Sequence, residues 1–168
     1  MAAIFTLLTI NAVAFLASGT LSEALDSVAW LTLLALFEVE TGHTVALSGR
    51  RATAAIHAVR LVAIAALIAA LIGYVREKEW LDVLNVGLWV AVVALLELEV
   101  RRPETVMRHR GAFSAAALAL YAGLSALVVA WLWRGDWFFA YDAALWLIAF
   151  ATLEMDVFGF IGRDRSAP

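Results

Sequence analysis

The sequence predicts an all-α polytopic membrane protein, with six transmembrane helices arranged as three tandem helical hairpins of approximate threefold internal symmetry. Three observations predict it. Hydrophobic residues make up 64% of the 168 residues, against about 45–50% apolar residues in a soluble domain. They fall in six long runs separated by short polar segments, and a helix needs roughly 20 apolar residues to cross a bilayer. One residue pattern recurs three times at fixed spacing, as a duplicated supersecondary unit requires.

The elements follow in order. Residues 3–21 form the first span. The segment Met1 to Thr20 lacks the basic leading stretch of a secretory signal, so it is expected to be retained as a helix that completes a repeat. The second span, 27–47, ends before Arg50 and Arg51. The third, 54–75, ends before Arg76, Glu77 and Lys78. The fourth, 83–100, runs into Arg101 and Arg102. Residues 112–133 and 138–161 complete the set, divided by Arg134, Gly135 and Asp136. Short connections make sequential helices antiparallel hairpins, with repeats at 1–47, 54–100 and 112–161 inside one transmembrane domain, 1–168. The odd-numbered spans read as packing partners. Ala115, Ala119 and Gly123, and likewise Ala65 and Ala69, are small residues one turn apart that let backbones approach closely in lipid.

Charge orients the chain. Arg50, Arg51, Arg101, Arg102, Arg108, Arg110, Arg163 and Arg165 follow the even-numbered spans. The alternate connections mix Arg76, Lys78 and Arg134 with Glu23, Glu77, Glu79 and Asp136. The excess of arginine on one side places both termini in the cytoplasm, and a bacterial cytoplasmic membrane is the expected location. All seven tryptophans lie near the opposite surface and are expected to form an aromatic belt there.

The repeat is carried by the even-numbered spans. Asp26, Trp30, Ala35, Glu38 and Glu40 match Asn85, Trp89, Ala94, Glu97 and Glu99, and match again Asp142, Trp146, Ala151, Glu154 and Asp156, without a gap. The tryptophans recur at intervals of 59 and 57 residues. Counting from the Asx, the two acids lie about 18 and 21 Å inward at about 1.5 Å per residue. That depth falls within or just below a hydrocarbon core about 30 Å thick.

Intramembrane carboxylates are costly and call for a reason. Residues two apart differ by about 200° around a helix, so each acid pair must face two ways. The second acid of each pair, Glu40, Glu99 and Asp156, shares a stripe with Asp26, Asn85 and Asp142. Those six positions are expected to form a cation site near the threefold axis and the approach to it. The first acids, Glu38, Glu97 and Glu154, turn toward neighbouring helices. Arg60, a lone intramembrane arginine, is the expected ion-pair partner of Glu38 or Glu97. In the second repeat Glu97 and Arg101 also stand at i,i+4, a local pairing distance.

These features carry two functional expectations. The first is a small membrane protein that binds or conducts cations through the Glu-x-Glu/Asp cluster. Oxygen ligands suit a proton or a hard cation such as Mg²⁺, Ca²⁺ or Mn²⁺. The second is a non-catalytic accessory or scaffolding subunit of a larger membrane complex, or a homo-oligomer, with the lipid bilayer as its main partner. Enzymatic chemistry has little support. The absence of cysteine excludes disulfides, thiolate metal sites and cysteine nucleophiles. Glu40-Thr41-Gly42-His43 matches one half of a carboxylate di-iron motif, but such sites need two halves. No phosphate loop, HExxH or GxSxG occurs, no cofactor signature is present, and no basic tract points to nucleic acid.

Overall fold

A computed structural model describes residues 2–42 and 50–164, with side chains over 3–39, 52–99 and 101–152. The fold is all-helical, without a strand among the described residues. The helices are α1 (Ala2–Ser18), α2 (Leu21–Gly42), α3 (Arg50–Glu77), α4 (Trp80–Arg101), α5 (Pro103–Arg108), α6 (Arg110–Arg134) and α7 (Trp137–Asp164). Among the described residues three stretches are long and apolar enough to cross a membrane: Ala52–Glu77, Trp80–Glu99 and Arg110–Arg134. Ala3–Ser18 and Trp137–Thr152 are shorter apolar helices.

Two boundaries differ from the sequence expectation for identifiable reasons. α2 begins at Leu21, six residues before the expected span. Thr20 and Glu23 form a reciprocal cap there. The Thr20 amide donates to Glu23 Oε2 at 2.8 Å, and the Glu23 amide donates to Thr20 Oγ1 at 3.3 Å. Two amides that the first turn would otherwise leave without acceptors are satisfied, so the helix starts at its cap and not at the edge of its apolar run. The second difference is α5, which lies in what reads as a connection. Pro103 opens it, where a missing amide hydrogen costs nothing and φ is already helical.

The connections between α1 and α2, α3 and α4, and α6 and α7 each consist of two residues: Gly19-Thr20, Lys78-Glu79 and Gly135-Asp136. The latter two close with the same hydrogen-bond geometry. The Glu79 amide donates to the Tyr74 carbonyl at 3.0 Å, and the Asp136 amide donates to that of Trp131 at 2.9 Å. Such a closure puts the first loop residue in the left-handed region. Gly135 takes it freely at φ 85°, whereas Lys78 takes it at φ 63° against its own Cβ. Leu21, Trp80 and Trp137 open the helices that follow, and Trp30, Trp89 and Trp146 each stand nine residues further on.

Thr6–Val83 is one compact unit, and Leu84–Pro168 with Met1–Phe5 is another. In the first, α2 packs along α3. α3 buries Ala63, Leu67, Ala70 and Tyr74 at alternating four- and three-residue steps. Its other faces expose Leu61, Val62, Ile64, Ile68 and Ile72. An outer face of large aliphatic residues around a seam that includes three small or medium ones is what lipid, in place of water, permits. Gly73 fixes the approach of the two helices, because a Cβ there would collide with Ser22 Oγ.

In the second unit α6 packs along α7. Its core holds Val86, Trp89 and Val92 of α4, Leu124, Leu127 and Trp131 of α6, and Ala140, Ala143, Trp146 and Ala149 of α7. Phe150 lies between two of the indoles, 4.6 Å from Trp89 and 6.4 Å from Trp146 by ring centroids.

The aromatic belt is therefore corrected. Trp80, Trp133 and Trp137 are exposed at the helix ends, as a belt requires. Trp30, Trp89, Trp131 and Trp146 are buried. Position along a helix says nothing of its facing, and the helix face decides whether an indole is exposed or meets another helix. These four fill the space between helices, where a large aromatic ring buries most area.

Candidate functional site

The acids expected to form the inner cation site separate in the structure. Glu38 is exposed on α2 and Arg60 is half-buried on α3, and each has an interaction partner. Glu97 is exposed and pairs with Arg101 of its own helix, the local i,i+4 contact that the spacing allows. That pairing engages one of the two acids expected to meet Arg60. Glu99 is half-buried on α4. The backbones of Glu40, Glu154 and Asp156 continue α2 and α7, but their side chains lie outside the described residues, as does His43. Among the described residues no three His, Cys, Asp or Glu side chains come together to hold a metal ion.

The Asx positions at the other end of the same helices are better defined. In the unit Thr6–Val83, α2 and α3 run antiparallel, so residues ascending on one meet residues descending on the other. Ser22, 4% exposed, donates its hydroxyl hydrogen to Glu77 Oε1 at 2.7 Å. One turn on, the Tyr74 hydroxyl donates to Asp26 Oδ2 at 3.5 Å, the outer limit of a hydrogen bond. Asp26 Oδ1 is fully buried. Glu23, Glu77 and Asp82 are within electrostatic reach of the same tyrosine. A two-rung polar ladder thus joins the two helices, and Gly73 gives Ser22 the room to enter it.

In the second unit the equivalent positions are Asn85 on α4 and Asp142 on α7, both half-buried. Each stands one turn before a buried tryptophan, and those two tryptophans share Phe150. Asn85 Oδ1 is buried and has no hydrogen-bond partner among the described residues. A buried acceptor left in this way costs roughly 1–3 kcal/mol.

Sequence reasoning missed Tyr74, Ser22 and Glu77 as a connected set. Two signals were present. Ser22 and Asp26 stand four apart on α2, and Tyr74 and Glu77 three apart on α3, so each pair shares one helix face. Glu77 read as connection charge because its polarity marked a boundary, whereas it is the last residue of α3 and still shares a face with Tyr74. Chemically, the ladder presents carboxylate and hydroxyl oxygens, with Ser22 and Tyr74 buried and Glu77 exposed at its end. Such oxygens can hold a proton or a desolvated cation, or can lock two helices together.

Comparison with protein families, with characterised proteins and with solved structures gives no match to this chain.

Proposed function

We propose that the chain is a six-span membrane protein built from three hairpin repeats, 1–47, 54–100 and 112–161, about an approximate threefold axis, and that it binds or conducts cations through its repeated acids. Glu40, Glu99 and Asp156 form the inner site in this reading, flanked by Glu38, Glu97 and Glu154. Asp26, Asn85 and Asp142 line the approach. A proton or a hard cation is the ligand class, since three converging carboxylates repel until a positive charge joins them.

One observation carries the reading. Asp26 Oδ1 and Asn85 Oδ1, at corresponding positions of the sequence pattern, are both fully buried within the helical packing. Burial of such groups is costly, and intramembrane polar side chains are retained mainly along ion or substrate pathways. The repeated two-residue connections and the constant nine-residue offset to the tryptophans support the threefold plan.

The test is ion flux into liposomes carrying the full chain. Wild type should exceed empty liposomes, and Glu40→Gln, Glu99→Gln and Asp156→Asn should each lose most of the flux with helicity unchanged. Asp26→Asn should slow it. Wild-type flux no faster than that of empty liposomes would overturn the reading.

A second reading, an accessory or scaffolding subunit, is favoured by the local pairing of Glu97 with Arg101. An acid neutralised on its own helix needs no cation. In that case the three acid variants leave the fold and any larger assembly unchanged, and flux is absent throughout.

A further inference from the structure

α5 joins α4 to α6, two helices long and apolar enough to cross a membrane. Only eight residues, 102–109, separate their ends, so this segment is held close to whatever surface the two helices leave. It buries none of its own α5 residues. Arg102, Arg108 and Arg110 are exposed around it, and the only acid among residues 101–110 is Glu104. Arg101 is already engaged by Glu97. Met107 is 74% exposed, an apolar side chain on the same short helix.

We propose that Arg102, Arg108 and Arg110 form a docking surface for anionic phospholipid headgroups, with Met107 entering the boundary of the acyl region. The guanidinium fork matches two phosphate oxygens at once, and basic clusters beside membrane-spanning helices concentrate anionic lipid. The tether at both ends favours a headgroup over free phosphate, because the segment cannot leave the interface. The inference rests on α4 and α6 spanning the bilayer and is independent of cation handling.

Because the chain contains no cysteine, an environment-sensitive dye can be placed at Thr105→Cys alone, an exposed site on α5. The full chain is reconstituted in phosphatidylcholine vesicles containing trace spin-labelled lipid with either a phosphatidylglycerol or a phosphatidylcholine headgroup. The anionic lipid should quench the dye at least about threefold more strongly than the neutral one. That preference should vanish in Arg102→Gln/Arg108→Gln/Arg110→Gln and should persist in the corresponding lysine variant. Equal quenching by the two lipids overturns the docking surface while leaving the membrane assignment standing. Quenching by neither lipid overturns both. Loss of the preference on adding inorganic phosphate, at unchanged ionic strength, would make this a free-phosphate site and also defeat the proposal.

Discussion

Single residues decide how closely these helices meet. Gly73 stands where any Cβ would collide with Ser22. Gly73→Ala should destabilise the chain by about 1–3 kcal/mol, the usual cost of forcing extra volume into a packed seam. Combining it with Ser22→Ala should recover part of that loss, because the nearest atom is the serine hydroxyl. Thermal unfolding in detergent reads both effects. If Gly73→Ala unfolds at the wild-type temperature, the close approach of α2 and α3 is wrong. Lys78 tests the opposite sign. It holds a left-handed conformation at φ 63° that glycine adopts without strain. Lys78→Gly should raise stability by about 1 kcal/mol, whereas Gly135→Ala should lower it by a similar amount. Glu97→Ala should change stability by less than about 1 kcal/mol, since the pair it breaks is largely exposed. Residue facing is where the sequence was least legible. The offset of Trp30, Trp89 and Trp146 from their helix starts could be read from distance along the chain. Their burial could not, because it depends on which neighbouring helix covers that face.

At the scale of elements, apolar runs located α1, α3, α4, α6 and α7, whereas α2 begins six residues before its run. The errors fall where local hydrogen bonding, not hydropathy, sets the boundary. α2 starts at a Thr20–Glu23 cap, and α5 starts at Pro103 inside a polar stretch. Thr20→Ala should therefore cost about 1 kcal/mol and fray the first turn of α2. Amide exchange at Ser22 and Glu23 would report that fraying, and unchanged protection there would remove the cap from the account. The candidate site divides in the same way. The Asx positions stood out because their spacing to tryptophan is constant. Its partners Ser22, Tyr74 and Glu77 were not, because two of them lie on a helix with no repeat signature of its own. The inner acids of the first and third repeats, Glu40, Glu154 and Asp156, have side chains outside the described residues, so their part in the account rests on spacing.

For the whole molecule, the central claim is that three hairpins cross the bilayer in the same sense. It is a proposal, motivated by the three two-residue connections and by the constant nine-residue offset from each helix start to its tryptophan. The claim requires every one of those connections to emerge on one side, and α5 with both termini on the other. Leu21, Trp80 and Trp137 open α2, α4 and α7, and all are exposed. Thr105 is exposed on α5. With no native cysteine to interfere, each can be replaced singly by cysteine and challenged with a membrane-impermeant maleimide in intact cells. The account predicts that Leu21→Cys, Trp80→Cys and Trp137→Cys label at once, and that Thr105→Cys labels only after the membrane is opened. Labelling of Leu21→Cys or Trp137→Cys from the same side as Thr105→Cys would contradict it.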